Sequence, residues 1–205
     1  MLRRTQIWLE ALSKKKLNYY FSFIFDTFTA LLLLVVGALL LQQSGWSLFL
    51  YTTAFFFSGF IFFGFVEYLF HRWIFHSRLS PAKSGHAAHH EDPRAILALP
   101  WFFDPIVFAI GWCIFYLILW DAGAASIAAS GQIVRYVAYG LLHHSFHHAD
   151  FRWQPWRRLR AYHNIHHELE DRNFGVSSPA WDYILGTHYR ARRYFTDVPA
   201  VRREA

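Results

Sequence analysis

The chain has 205 residues, of which 55% are hydrophobic, 20% aromatic and only 17% charged, and its formal net charge is +6. The single cysteine excludes a disulfide framework and a cysteine-based metal site, so any metal must be held by histidines and carboxylates. Because the apolar residues form long blocks flanked by basic residues, we expect anionic lipid rather than nucleic acid as the partner. Residues 1–205 are predicted to form one membrane-embedded domain.

Four apolar blocks along the chain each reach the roughly 20 residues that a membrane-spanning helix needs. We predict spanning helices over residues 17–41, 46–70, 101–120 and 122–142. The fourth block is the weakest, because it contains Gly131, Gln132 and Arg135. The predicted fold is therefore all-α, an integral membrane bundle of four helices arranged as two hairpins.

The basic residues give these helices one orientation. The short connections over residues 42–45 and 121–123 contain no Lys or Arg, whereas the N-terminal segment, the middle loop and the C-terminal region contain many. Cytoplasmic loops carry the excess of Lys and Arg, so both chain ends are predicted to be cytoplasmic. Residues 71–100 and 143–205 would then form a cytosolic helical cap rich in histidine, and all thirteen histidines fall within these two stretches.

The histidines form four clusters, with His188 alone. The clusters are His71 and His76; His86, His89 and His90; His143, His144, His147 and His148; and His163, His166 and His167. Residues at i, i+3 and i+4 neighbour one another on a helix, so the two H-x-x-H-H runs could clamp two metal ions between them. Imidazole suits Zn, Cu, Fe and Ni, and two metals with about five ligands each would use ten histidines. Helix geometry alone does not choose between the pairs His143/His147 and His144/His148.

Two carboxylates lie close in sequence to these clusters. Glu67 precedes His71 by one helical turn, and we interpret it as the acceptor of a hydrogen bond from a ligand imidazole. The alternative is a salt bridge from Glu67 to Arg72 or Arg78. Asp182 is given the same interpretation as Glu67. His188 is interpreted as a surface or packed residue, since that is the usual place of a lone histidine.

The ordered motifs resemble the fatty acid hydroxylase and sterol desaturase superfamily over roughly residues 60–190. They are EYLFHRWIFH at 67–76, HAAHH at 86–90, YGLLHHSFH at 139–147, HNIHH at 163–167 and NFGVSSPAWDYILGT at 173–187. The resemblance implies a four-helix membrane bundle, a cytosolic histidine-rich cap and a centre of two iron ions. In isolated protein such a centre can contain zinc in place of iron. It implies ten metal ligands and selects the first pair in the third cluster: His71, His76, His86, His89, His90, His143, His147, His163, His166 and His167. His144, His148 and His188 are then spare.

The H-x-x-x-H spacing of His143 and His147 is similar to that of fatty acid 2-hydroxylases. The resemblance therefore implies O₂-dependent hydroxylation of a long-chain fatty acyl lipid, most simply at C2, with O₂ as co-substrate. The electrons would come from an external donor of the cytochrome b5-like or ferredoxin type, since the sequence contains no His-Pro-Gly-Gly motif of a fused haem domain.

Three other functions remain open on the sequence. One is a metal-dependent isomerase or hydrolase, because the ligands alone do not prove the use of O₂. A sterol or carotenoid hydroxylase or desaturase of the same superfamily would use the same ligands. A membrane metal-binding or transport protein would not be an enzyme, and it would be expected to place ionisable residues near the bilayer midplane. The position of the histidines outside the predicted spans argues against transport.

Overall fold

Every regular element in the described part of the chain is helical. The computed structural model describes residues 8, 11–12, 14–76, 82–95 and 98–190. The helices are α1 (Lys16–Leu40), α2 (Gly45–Leu69), α3 (Ala82–Glu91), α4 (Phe103–Leu119), α5 (Ala122–His148), α6 (Gln154–Glu168) and α7 (Ala180–Ile184), and a π-helical segment (Phe70–Phe75) continues α2. The all-α prediction is confirmed. The predicted cap residues 77–81, 96–97 and 191–205 lie outside the described residues.

Within the part of the chain that the structure describes, two helices are long and apolar enough to cross a membrane, namely Lys16–Leu40 and the continuous Gly45–Phe75. Phe103–Leu119 is apolar as well but has only 17 residues. The predicted fourth span, 122–142, forms part of α5, which continues to His148. Two of the predicted ligands, His143 and His147, therefore stand on the last turns of a long helix rather than in a separate cap.

The core of the fold is the N-terminal half of α5, which packs against α1, α2 and α4. Residues 123–133 of α5 are all buried, and most of them are Gly, Ala or Ser. This explains the weak hydropathy of the fourth block, because a helix surrounded by other helices needs small residues for close approach more than it needs bulky apolar ones. Short connections join α1 to α2 and α4 to α5, and the packing centres on α5.

Glycines mark the closest helix crossings. A Cβ added to Gly59 of α2 would lie 1.7 Å from the carbonyl oxygen of Ala128, and one added to Gly131 of α5 would lie 1.9 Å from that of Phe56. On the other side of α5, a Cβ on Gly37 of α1 would lie 2.8 Å from the oxygen of Gly123. The backbones at these crossings are therefore nearly in contact, and only glycine fits.

The π-helical segment at the end of α2 changes which residues share a face. The amide of His76 donates to the carbonyl of His71 at 3.3 Å, five residues back. On a regular α-helix, residues five apart point about 140° away from each other. The wider π turn instead places the rings of His71 and His76 with centroids 5.3 Å apart. Such single π turns occur often at functional sites.

Candidate metal centre

Four segments bring ten of the histidines together at or beyond the ends of the long helices. The π-helical segment and the residue that follows it supply two of them, α3 three, the end of α5 two and α6 three. They form two groups, and within each group the ring nitrogens lie within 4.8 Å of one another. Group A consists of His71, His76, His86, His90 and His166, and group B of His89, His143, His147, His163 and His167. The two groups contain all ten histidines predicted as ligands, whose role as ligands stays a prediction.

The two H-x-x-H-H runs are divided between the groups in opposite ways. On α3, His86 and His90 belong to group A and His89 to group B. On α6, His163 and His167 belong to group B and His166 to group A. Residues four apart on a helix point nearly the same way, whereas the residue at i+3 points about 100° from that at i+4. Each run therefore gives its i, i+4 pair to one group and its i+3 histidine to the other.

The Nε2 atoms of each group converge. In group A, Nε2 of His86 lies 3.1 Å from that of His71, 2.9 Å from that of His76 and 3.1 Å from that of His90. His166 joins them through a contact of 3.2 Å to His76. Five imidazoles that turn the same nitrogen to one point form a donor set that fits a Zn or Fe ion.

Group B has the same form. Nε2 of His163 lies 3.0 Å from that of His147 and 3.1 Å from that of His167. The Nε2 atoms of His89 and His143 are buried, and neither has a hydrogen-bond partner in the described structure. Buried nitrogens are normally paired, so these orphaned atoms are what a metal site predicts. The residues of both groups fit the metal pair that the sequence motifs imply.

The electrostatics of the cluster favour the neutral, metal-binding form of imidazole. Burial, reinforced by neighbouring histidines, lowers the pKa of His89 to about 3 and of His147 to about 4. Burial likewise lowers the pKa of His76 to about 4 and that of His166 to about 3. An ordinary histidine has a pKa near 6.5. These imidazoles are therefore neutral at pH 7, as metal coordination requires.

Backbone carbonyls orient two of the group A rings. Nδ1 of His71 donates to the carbonyl of Phe174 at 2.5 Å, and Nδ1 of His166 donates to the carbonyl of Arg172 at 2.7 Å. A carbonyl only accepts, so the proton of each neutral ring is on Nδ1 and the lone pair is on Nε2, where the group converges. The carboxylate of Glu170 lies 3.7 Å from Nδ1 of His76 and 3.8 Å from that of His90.

The predicted partners of Glu67 and Asp182 were wrong. Glu67 accepts hydrogen bonds from the amides of Val176 and Ser177 at 2.6 and 2.7 Å, and one from the Ser177 hydroxyl, rather than one from an imidazole. Asp182 accepts from the amides of Phe174 and Gly175 at 2.8 and 2.7 Å. Of the two alternative arginine partners for Glu67, Arg78 lies outside the described residues. Both carboxylates therefore hold the loop that contacts the histidines, not the histidines themselves.

The three histidines set aside lie outside both groups. His144 and His148 stack on each other with centroids 4.0 Å apart, and Nδ1 of His148 donates to the carbonyl of His144. His188 stacks on Tyr183 at 3.8 Å and on Tyr162 at 5.5 Å. One helix thus presents two i, i+4 histidine pairs on different faces, and only His143/His147 faces the cluster.

Sequence reasoning missed Glu170 and Asn173, both in the loop after α6. Asn173 is fully buried with a φ of 56°, a conformation that asparagine adopts more readily than most residues. Its side chain donates to the carbonyls of Tyr162 and Tyr189 at 3.2 and 2.9 Å and accepts from the Tyr189 amide at 2.7 Å. The Asn-Phe-Gly sequence offered a turn signal, but nothing local showed that this turn meets the cluster.

The fold and the site define a helical protein with membrane-capable helices and two facing groups of five histidines. The chain belongs to the fatty acid hydroxylase family, whose model matches residues 56–187. The resemblance drawn from the motifs is thereby confirmed.

The chain is also similar to curated proteins that are named 2-hydroxylases. The chain is 32% identical over 107 residues to the dihydroceramide fatty acyl 2-hydroxylase FAH2 of Arabidopsis thaliana, covering 50% of this chain and 44% of the relative. It is 33% identical over 106 residues to FAH1 of the same plant, with the same coverage. The fatty acid 2-hydroxylase of Rattus norvegicus is 30% identical over 106 residues, covering 50% of this chain and 28% of the relative. The matched region thus spans less than half the length of these relatives.

A solved structure has the same fold. It is described as full-length scs7p with only the hydroxylase domain visible, and it superposes with a TM-score of 0.72 at 24% identity. The match covers 89% of this chain and 70% of that chain.

Proposed function

We propose that this protein is a membrane-bound enzyme that hydroxylates a long-chain fatty acyl lipid at C2, using O₂ and an external electron donor. The observation that carries the proposal is the pair of facing five-histidine groups in a chain of the fatty acid hydroxylase family. The choice of an acyl chain and of C2 rests on relatives that are named 2-hydroxylases.

The ten histidines of groups A and B are proposed to hold two iron ions, which zinc can replace on isolation. Neutral imidazoles suit redox metals better than they suit Mg²⁺ or Ca²⁺. When bound, the metal pair supplies the oxidising power for an unactivated C–H bond, which side chains lack. One oxygen atom enters the C–H bond and the other leaves as water, with two electrons from a cytochrome b5-like or ferredoxin-type donor and two protons from solvent.

The protein's own residues shield the histidine nitrogens from water and provide an apolar surface for the acyl chain. His71, His163 and His166 are almost completely buried, so the polypeptide shields the nitrogen clusters from water. The long helices expose large apolar side chains, among them Phe28 and Leu31 on α1 and Ile61 on α2. An acyl chain can therefore approach from the bilayer. Since the histidines lie at or beyond the ends of the long helices, the reactive carbon would be one close to the lipid head group.

We further propose that α1, α2, α4 and α5 all cross the membrane, with both chain ends cytoplasmic. In this arrangement α4 and the small-residue half of α5 complete the bundle around the two membrane-capable helices. The short α4 spans about 26 Å at 1.5 Å per residue, which is close to the roughly 30 Å of a hydrocarbon core.

The function is tested by lipid mass spectrometry. Cells expressing the protein, grown under ¹⁸O₂, should accumulate 2-hydroxy fatty acyl lipids that carry ¹⁸O. The variant His143→Ala should abolish this product, whereas the adjacent His144→Ala should retain it. Oxygen derived from water would contradict the oxygenase proposal. An alkene or a hydroxylated ring as product would contradict only the proposed substrate and position.

A further inference from the structure

The loop over residues 170–177 serves group A. It supplies the carbonyls of Arg172 and Phe174 to the Nδ1 atoms of His166 and His71. Its Glu170 carboxylate lies within 3.8 Å of the Nδ1 atoms of two further imidazoles. Two of the five group A rings, His71 and His166, thus have Nδ1 hydrogen-bonded to fixed carbonyls of one short segment. Nδ1 of His90 lies near the Glu170 carboxylate but is buried without a hydrogen-bond partner among the described residues.

Group B lacks such contacts at two of its rings. The Nδ1 atoms of His163 and His167 are buried, and neither has a hydrogen-bond partner within the described residues. His163 and His166 are neighbours on α6, so the difference arises within one turn of one helix. The 170–177 loop lies on the side of α6 that carries His166, and this position accounts for the difference.

The loop itself is rigidly anchored. Glu67 of α2 accepts from its amides at Val176 and Ser177, and Asp182 of α7 accepts from those at Phe174 and Gly175.

One further hydrogen bond anchors the same loop. Arg135 of α5 donates to the Ser177 hydroxyl at 3.1 Å and to the carbonyl of Phe60 on α2 at 3.1 Å. A Cβ on Gly175 would lie 2.1 Å from the Ser178 carbonyl oxygen, so the loop is packed without spare space. The carbonyls that face group A are therefore fixed relative to α2, α5 and α7.

A fixed acceptor on Nδ1 has two effects on a ligand imidazole. It holds the ring in one orientation, and it makes Nε2 the unprotonated and more basic nitrogen. Loss of such a partner typically lowers metal affinity 10- to 100-fold. The Nδ1 atoms of His163 and His167 have no such acceptor among the described residues, so no fixed carbonyl favours the tautomer that leaves Nε2 free to bind metal.

We propose that the two metal positions are unequal: group A binds its ion first and more tightly, and the group B ion is the exchangeable one. The 170–177 loop, held by Glu67 and Asp182, is the positioning element that creates the difference. This inference rests on the proposed dinuclear centre.

The experiment uses the full chain in detergent micelles, stripped of metal by a chelator and titrated with Zn²⁺ in a calorimeter. We expect two binding steps whose affinities differ at least tenfold, with one ion bound in each step and two bound at saturation. His86→Ala, in group A, should remove the tighter step, and His147→Ala, in group B, should remove the weaker one. Equal affinities, or the opposite assignment of the steps, would overturn the proposal.

Loop variants test the cause. Glu67→Gln keeps the size of the side chain but weakens its hold on the loop amides, and it should lower the affinity of the tighter step roughly 10- to 100-fold while leaving the weaker step unchanged. Glu170→Gln, at a solvent-exposed position, should shift the same step by a smaller factor and keeps the test valid where the buried variant fails to fold. Asp150→Asn, an exposed carboxylate paired with Arg160, is the matched control and should change neither step.

The outcomes separate the two proposals. A weakened group B step in Glu67→Gln and Glu170→Gln would overturn the unequal-site inference and leave the dinuclear centre standing. Binding of fewer than two ions at saturation would overturn the dinuclear centre, and the order of affinities with it.

Discussion

His90 of group A and His167 of group B stack on each other, with ring centroids 4.4 Å apart and planes inclined by 26°. They are the last histidines of the two H-x-x-H-H runs, so the ends of α3 and α6 meet where the groups adjoin. The stacked pair forms a shared wall between the two nitrogen clusters. A change in either helix is therefore expected to affect both groups.

The first prediction compares two adjacent histidines on α5. His143→Ala removes a buried nitrogen of group B, whereas His144→Ala removes a ring that stacks on His148 away from the cluster. We expect the purified His143→Ala protein to hold about half the metal of the wild type, and His144→Ala to hold the full amount. Metal content by mass spectrometry measures this, and equal contents in the two variants would contradict the assignment.

The second prediction concerns pH. In the folded protein, burial lowers the pKa values of His76 and His147 to about 4 and of His89 and His166 to about 3. In the unfolded chain they return to near 6.5. Below pH 6.5 the unfolded chain therefore binds more protons than the folded one, and stability falls as the pH falls towards the folded values.

Thermal unfolding of the metal-free protein measures this effect. We expect a melting temperature that is constant from pH 8 to about 7 and decreases between about 6.5 and 5. Metal should raise the melting temperature at pH 7.5 and lose most of that effect at pH 5, because protons compete with the ion for the same nitrogens. A melting temperature of the metal-free protein that rises on acidification would show that the histidines are not buried as neutral groups.

Much of the site could be predicted from the sequence, because its geometry is local. The H-x-x-H-H spacing by itself determines that the i+3 histidine points away from the i, i+4 pair, and this division between two groups is seen on both α3 and α6. The choice of His143 over His144 came from the resemblance, since both pairs have the same spacing. The tertiary structure distinguishes them by the face that α5 turns towards α3 and α6.

The parts that could not be predicted depend on distant contacts or on irregular helix geometry. Glu67 and its partner Val176 are 109 residues apart in sequence, so spacing relative to His71 was no guide to what the carboxylate binds. His71 and His76 would not share a face on an α-helix, and only the π turn brings them together. Asn173 and Glu170 matter because their loop folds back onto the cluster.

The third prediction tests the crossing of α2 and α5. Gly59→Ala places a methyl group at a point 1.7 Å from the Ala128 carbonyl oxygen, so the two helices must separate. We expect a loss of stability of about 1–3 kcal/mol or more, the usual cost of overpacking. Gly140→Ala is the matched control, because nothing lies within 4 Å of its added Cβ. It should be neutral or stabilising by up to about 1 kcal/mol, since alanine favours a helix over glycine.

Chemical or thermal unfolding of the two variants in the same detergent measures the difference. Comparable stability of Gly59→Ala and the wild type would show that the backbones are not in contact at this crossing.

The last prediction concerns topology and uses cysteines introduced at two exposed positions, Ser44 and Glu91, in a Cys113→Ala background. Ser44 lies in the connection after α1. At this end of the bundle Gly123, near the start of α5, packs against the end of α1. Glu91 ends α3 beside the histidine groups. Helix α1 has 25 residues and so rises about 38 Å, which exceeds the roughly 30 Å hydrocarbon thickness and separates the two positions by a bilayer.

In intact cells a membrane-impermeant maleimide should label the cysteine at 44 and not the one at 91, and permeabilisation should expose the latter. Labelling of both in intact cells, or of neither, would place the two positions on one side of the membrane and contradict the proposed topology.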